Sequence, residues 1–205
     1  MSLATWLAVV SICALGAMSP GPSLAVVLRH TLAGGRRHGV VAALTHGLGI
    51  GLYALACISG LAFLIITSPT LFQAFQWAGA AYLVWLGWKG LRAKPADELN
   101  LEPPASARGA ARDGFLVVFA NPKIAVFFIA LFSQVIGPES SLPAKLAYAA
   151  TAMVIDAAWY LIVAWGFSNP AWLPWLQARS VWLERLFGVV LIALAGRLVW
   201  FTLAG

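Results

Sequence analysis

Long apolar runs, separated by short polar connections, occupy most of this chain. Six runs cover residues 3–28, 39–66, 70–91, 114–136, 144–167 and 181–203. A helix of about 20 apolar residues crosses the hydrocarbon core of a bilayer. The pattern therefore predicts an all-α integral membrane protein with six transmembrane helices and no soluble domain.

Two of the runs contain residues that an uninterrupted helix does not tolerate. The interrupting residues are Ser19, Pro20, Gly21 and Pro22 in the first run and Asn121, Pro122 and Lys123 in the fourth. Proline lacks an N–H donor and clashes with the preceding helical turn. Backbone groups freed within a bilayer need protein partners or a wet cavity. We therefore predict that the first and fourth helices are broken where they line a cavity.

The chain divides into two halves of three runs each. Residues 1–92 form a first three-helix repeat, residues 93–112 form a cytoplasmic linker rich in alanine, proline and charge, and residues 113–205 form a second repeat. At an offset of 109 residues, the third and sixth runs share glycines, which are Gly79 with Gly188 and Gly87 with Gly196. Because each half has an odd number of helices, the repeats are predicted to be inverted, as in many secondary transporters.

The charged residues predict how the helices are oriented. Of all residues, 61% are hydrophobic and 10% are charged, and the net charge of +6 is dispersed over short connections, which argues against nucleic-acid binding. The first, third and fifth connections hold most of the basic residues, including Arg29, Arg36, Arg92, Arg112 and Arg179. By the positive-inside rule these connections are cytoplasmic, and both termini lie outside the bacterial inner membrane.

Lys123 and Asp156 are the two charged residues furthest from any predicted membrane surface. A charge at the centre of a membrane helix costs about 2.5 to 3.5 kcal/mol or more, so both side chains must face the bundle interior. Two interpretations stay open. The residues form a structural ion pair with each other, or they bind substrate or a proton directly.

Three further polar residues are predicted near the same depth. His46 is the one histidine within an apolar run, and packing is favoured for it over a proton relay. Asn121 either caps the restarted helix, which is favoured, or binds a ligand. Tyr160 lies one helical turn after Asp156 on the same face, and packing is its default role.

No pattern in the sequence favours a cofactor, a metal or catalysis. Cys13 and Cys57 are far apart within apolar runs, so neither a redox pair nor a thiolate metal site is expected. A membrane-embedded enzyme would need a nucleophile with its base, a metal cluster or a carboxylate pair, and the deep residues provide none of these. A receptor or an assembly subunit would not need two broken helices at equal depth.

Five features of the chain form a recognisable set. They are SPGPS in the first run, GGRRHG before the second, WAGAAYLVWLGWKGLR in the third, ANPKIAVFFIALFSQ in the fourth, and Asp156 in the fifth. Together they resemble the lysine exporter superfamily, the LysE and RhtB group of amino-acid efflux proteins. The resemblance covers nearly the whole chain. It implies export, driven by the proton-motive force, of amino acids such as homoserine, threonine, lysine, arginine or leucine. By this resemblance, the family's characteristic prolines correspond to Pro20 and Pro22, and its Asn-Pro-Lys motif corresponds to residues 121–123. The resemblance implies no histidine at position 46.

A zwitterionic substrate suits the predicted cavity. Its carboxylate would meet Lys123 and the positive end of a half-helix, and its ammonium would meet Asp156 and freed carbonyls. With one deep carboxylate, a neutral amino acid such as homoserine or threonine is favoured over a basic one. Basic amino acids and other small metabolites stay open as alternatives. The expected partners are this substrate, protons and lipid, and the glycine-rich helices would pack within a monomer or form a homodimer.

Overall fold

The computed structural model describes residues 3–93, 106–137 and 140–204. Within these ranges the chain is all-α and contains no strand, which confirms the predicted class. The helices are α1 (Leu3–Met18), α2 (Pro22–Thr67), α3 (Pro69–Leu91), α4 (Ala107–Ala120), α5 (Pro122–Phe132), α6 (Leu142–Gly166) and α7 (Leu173–Ala204), with a 3₁₀ turn at Pro170–Trp172.

The helical path is interrupted at both predicted positions. Helix α1 ends at Met18 and α2 restarts at Pro22, where proline suits the first helical position because the missing N–H would have no partner there. Helix α4 ends at Ala120 and α5 restarts at Pro122, with a bend of 58° between the two axes. The first and fourth apolar runs are therefore each built from two helical pieces.

The connection between the first and second runs differs from the prediction. We expected a polar connection over residues 29–38, but α2 continues through it, and Gly35 alone is non-helical. Its φ of 76° and ψ of 174° lie in a region that glycine adopts without steric cost. Gly39 lies against the side chain of Thr31, so α2 folds back on itself at Gly35.

Two helices of the described residues are long and apolar enough to cross a membrane, α2 and α6. The bent pair α4 and α5 adds a third candidate if it is counted as one span. The six predicted spans are therefore confirmed only in part. Helix α1 has 16 residues, and α3 and α7 include polar residues such as Lys89 and Arg197.

Helix α2 packs along α6 and α4, α3 packs along α7, and α1 packs against α6. Glycine lets α3 and α7 approach closely, because a Cβ on Gly87 would come within 2.7 Å of the carbonyl oxygen of Gly188. A large apolar core includes Ile58, Leu83 and Phe132, and a smaller one lies between α2, α4 and α6. The two helix breaks lie within this packed interior.

Most of the predicted linker, residues 94–105, lies outside the described residues. Its last part is helical, because α4 begins at Ala107, six residues before the predicted start of the second repeat. The Ser106 side chain caps this helix by accepting a hydrogen bond from the Gly109 N–H at 3.1 Å.

Candidate functional site

The two helix breaks contact each other. The ammonium of Lys123, at the start of α5, donates hydrogen bonds to the Ser19 hydroxyl and, at 3.1 Å, to the carbonyl oxygen of Pro20. Both acceptors belong to the break between α1 and α2. Asn121 Nδ2 donates to the Ser23 hydroxyl at 3.4 Å. Each break therefore satisfies polar groups of the other, as a break within a bilayer requires.

Asn121 also acts as the predicted helix cap. Its side-chain Oδ1 accepts a hydrogen bond from the backbone N–H of Lys123 at 3.1 Å, and Pro122 occupies the first helical position of α5. The cap and the proline together fix where α5 restarts. This position directs Lys123 toward the first break.

A second polar pair joins α2 to α6. His46 Nδ1 lies 2.6 Å from Asp156 Oδ2, and the two side chains are 1% and 10% exposed. An ionised carboxylate only accepts hydrogen bonds, so Nδ1 carries the hydrogen whenever Asp156 is ionised. The other ring nitrogen, Nε2, is buried and has no hydrogen-bond partner among the described residues.

This pair answers two questions that the sequence left open. Asp156 is hydrogen-bonded to His46, whereas Lys123 bonds to Ser19 and Pro20, so the alternative of a structural Lys123–Asp156 ion pair is wrong. The reason is that the cap at Asn121 orients Lys123 toward the first break. His46 does pack, as predicted, because its ring lies 4.8 Å from that of Tyr160, but it is also paired.

Tyr160 packs against the histidine of the His46–Asp156 pair. Its ring meets His46 edge to face at an interplanar angle of 71°, and its side chain is 2% exposed. Its hydroxyl interacts with Ser23, which also accepts from Asn121. Tyr160 therefore links the His46–Asp156 pair to the helix breaks.

A cavity of about 60 Å³ connects these groups. This is room for several water molecules. Six of the nine predicted site residues line it, which are Gly21, His46, Asn121, Lys123, Asp156 and Tyr160. The three prolines Pro20, Pro22 and Pro122 are not in the lining, and their contribution is to interrupt the helices.

Sequence reasoning missed part of the lining. Ser19 belongs to the predicted break and Ser23 follows it directly, and both could have been named as site residues from that position. Phe187 of α7 carried no signal, yet its ring lies 4.3 Å from Lys123 Nζ, at the distance of a cation–π contact. The remaining lining residues are mostly apolar and include Cys13, Ile50, Ile124, Phe127 and Phe128.

A second cluster of charges joins α2 to α4 near the predicted cytoplasmic surface. Asp113 Oδ2 lies 2.6 Å from Arg29 Nη2 and 3.1 Å from His30 Nε2, and Asp113 Oδ1 lies 3.2 Å from Arg112 Nη2. In the described part of the chain, no group of three or more His, Cys, Asp or Glu side chains is placed to hold a metal ion.

A buried polar cavity at two broken helices, inside an apolar helical protein, is typical of a membrane transporter. The family of LysE type translocators matches residues 14–201, and the chain belongs to this family. It is a multi-pass membrane protein, in agreement with the resemblance in its motifs. Membership of a translocator family is also consistent with the prediction that the chain is not an enzyme.

Relatives of known name are similar to the chain over most of its length. A homoserine/homoserine lactone efflux protein of Salmonella typhimurium is 31% identical over 90% of this chain and 86% of its own. A threonine efflux protein of Escherichia coli K12 is 27% identical over 89% of this chain and 90% of its own length. The uncharacterised membrane protein YahN of Escherichia coli K12 is 30% identical over 89% of this chain and 83% of its own length. No solved structure matches the chain.

Proposed function

We propose that this protein exports a small neutral amino acid, similar to homoserine or threonine, across the bacterial inner membrane in exchange for protons. The observation that carries the proposal is the pair of opposite charges that line one cavity. Lys123 presents an ammonium and Asp156 a carboxylate, on different helices. This arrangement complements the carboxylate and the ammonium that every zwitterionic amino acid carries.

The substrate carboxylate binds at the helix breaks. Lys123 has three N–H donors and uses two of them on Ser19 and Pro20, which leaves one for a ligand oxygen. Helices α2 and α5 both begin beside the cavity, and the start of a helix carries partial positive charge. The anionic end of the substrate is therefore placed among groups that attract negative charge.

The substrate ammonium binds at Asp156. The hydrogen bond from His46 uses only Oδ2, so Oδ1 is available to a ligand. Within the described lining of the cavity, Asp156 is the single carboxylate. A basic amino acid would bring a second cation with no second carboxylate to receive it, so a neutral side chain fits better.

The apolar lining receives the substrate side chain. Phe127, Phe128 and Phe187 surround the cavity, and a short aliphatic side chain packs against them without needing a charged partner. The relatives named as homoserine and threonine efflux proteins support this choice. Basic amino acids and other small metabolites are the alternative class, because free backbone carbonyls at the breaks can also accept hydrogen bonds from a cation.

The architecture we propose is six spans arranged as two inverted three-helix repeats, residues 1–92 and 113–205, joined by a cytoplasmic linker with both termini outside. The packing supports it, since helices at equivalent positions of the two repeats pair. The two breaks meet, α2 packs on α6, and α3 packs on α7. Rocking of one repeat against the other would open the cavity to each side in turn.

A homodimer stays a prediction. Gly87 and Gly188 face each other across α3 and α7 of one chain, which assigns these two glycines to packing within a monomer.

Transport in proteoliposomes tests the function. Vesicles preloaded with homoserine, threonine or lysine are tested for efflux of the labelled amino acid with and without a proton gradient, for the wild type and for Lys123→Met. Lys145→Met is the matched control, because this lysine lies near the start of α6, away from the cavity. We expect gradient-driven efflux of homoserine or threonine that Lys123→Met loses and the control keeps. Efflux of lysine alone would favour the basic alternative, and efflux of none of the three would overturn the amino-acid assignment.

A further inference from the structure

We infer that His46 carries the coupling proton on its Nε2 atom, and that one proton is exchanged for each amino acid. The inference rests on the proposed efflux function and describes how the same site is coupled to the proton gradient. It follows from the geometry of the His46–Asp156 pair and from the charges around it.

The hydrogen bond to Asp156 determines which nitrogen titrates. Because the carboxylate accepts from Nδ1, that nitrogen keeps its hydrogen in both charge states of the imidazole. The charge of His46 therefore changes at Nε2. This atom has no hydrogen-bond partner among the described residues, and the His46 ring lines the cavity. A nitrogen without a partner, on a ring that lines the cavity, is the position at which His46 can take up a proton.

Few other charges compete for the pair. The titratable groups that share the cavity lining are Cys13 of α1, Lys123 of α5, and Asp156 and Tyr160 of α6. Glu184 of α7 acts on Lys123, and Asp113 of α4 is engaged with Arg29 and His30. Asp156 is thus the one anion, among the described residues around the cavity, that His46 can share with a ligand.

The substrate and the proton compete for this anion. In the empty site a protonated His46 and an ionised Asp156 neutralise each other at 2.6 Å. When a substrate ammonium binds Asp156, one carboxylate would have to neutralise two adjacent cations in a site of low dielectric, where like charges repel strongly. The proton then leaves Nε2 for the cavity water, and His46 stays as a neutral donor to Asp156.

This competition favours export. On the cytoplasmic side, where the pH is higher, His46 loses its proton and the amino acid binds. On the more acidic outer side a proton binds Nε2, restores the imidazolium and displaces the ammonium from Asp156. Exchange of one proton makes the apparent affinity for the amino acid fall about tenfold for each unit of decreasing pH, wherever binding releases a full proton.

Proton release on binding tests the inference. Purified protein in weak buffer with an indicator dye is mixed with saturating homoserine or threonine between about pH 5.5 and 7.5, where imidazole titrates. The variants are His46→Gln, which keeps a side-chain donor but cannot titrate, and His38→Gln as the matched control. His38 bonds to the backbone oxygen of Gly34 and does not line the cavity.

We expect the wild type and His38→Gln to release one proton per bound amino acid at the acidic end of this range and none at the alkaline end. His46→Gln should release none at any pH. Release that persists in His46→Gln would overturn the inference, because Asp156 or another group would then carry the proton. If His46→Gln fails to fold, His46→Asn takes its place with the same expectation of no release. Absence of proton release from the wild type would also overturn the inference.

Counterflow exchange of labelled homoserine and threonine separates this failure from failure of the proposed function. Wild-type protein that exchanges either amino acid but releases no proton on binding would refute the coupling role of His46 and leave the efflux function standing. Wild-type protein that exchanges neither amino acid would refute both.

Discussion

The described part of the chain contains two histidine–aspartate pairs whose surroundings differ. His46 and Asp156 lie 2.6 Å apart beside the cavity, and His30 and Asp113 lie 3.1 Å apart between α2 and α4, near the predicted cytoplasmic surface. Both histidine side chains are 1% exposed. In each pair the histidine belongs to the first half of the chain and the aspartate to the second, so both pairs bridge the proposed repeats.

The difference lies in the permanent cations. Asp113 also contacts Arg29 at 2.6 Å and Arg112 at 3.2 Å, and arginine stays charged at any pH the protein meets. Asp156 has an ion pair with His46 only, among the described residues. A carboxylate held by two arginines keeps its partners whatever the pH. A carboxylate held by one histidine can exchange its partner when a proton or another cation arrives.

The comparison teaches that the surroundings, and not the residue types, separate a structural pair from an exchangeable one. The Arg29–His30–Asp113 cluster fastens α2 to α4 where the two chain halves meet. The His46–Asp156 pair lies in a cavity whose other cation, Lys123, bonds to the helix break instead. Altering each pair in turn should therefore affect different properties of the protein.

The largest expected effect is the loss of exchange in Asp156→Asn. Removing one partner of a buried charge pair between a protein and its ligand costs about 2 to 5 kcal/mol of binding free energy, and every 1.4 kcal/mol is about tenfold in affinity. We therefore expect homoserine or threonine counterflow at subsaturating concentration to fall by about a hundredfold or more. Asp113→Asn is the matched control, and its counterflow should stay within about threefold of the wild type. Equal losses in both variants would show that the two pairs do not differ as proposed.

The sequence predicted the parts of this comparison that have local causes. Proline at residues 20, 22 and 122 interrupts a helix wherever it lies inside one, so both breaks were found without the structure. The cost of a charge within an apolar run likewise placed Lys123 and Asp156 in the interior, where both line the cavity.

Partners across the fold could not be predicted in the same way. The pairing of Asp156 with His46 depends on how α2 packs along α6, and the sequence does not specify that packing. The chain reverses at Gly35 within the connection that was predicted over residues 29–38. The helical conformation of the rest of that connection was not predicted, because it contains basic residues and two adjacent glycines. Phe187 was missed because an aromatic residue in an apolar run has many possible neighbours.

A smaller effect is expected on stability in Asp113→Asn. The substitution leaves Arg29 and His30 without their carboxylate, and a hydrogen bond to a charged group contributes about 1.5 to 3 kcal/mol. The 23% exposure of the Asp113 side chain places the expected loss at the lower end of this range. Thermal unfolding of the purified protein should show a lowered midpoint, and the lowering should shrink in high salt because salt already weakens the wild-type contacts. An unchanged midpoint at low salt would show that the cluster does not hold α2 to α4.

The smallest effect is expected in Arg112→Ala. The Arg112 side chain is 73% exposed and reaches only Oδ1 of Asp113, while Arg29 keeps Oδ2 at 2.6 Å. Exposed ion pairs contribute roughly 0 to 1 kcal/mol, so the unfolding midpoint should stay close to that of the wild type. Arg29→Ala, which removes the shorter contact, should lower the midpoint more. A larger loss of the unfolding midpoint in Arg112→Ala than in Arg29→Ala would contradict this expectation. The cluster would then depend on the exposed contact of Arg112 and not on the contact between α2 and α4.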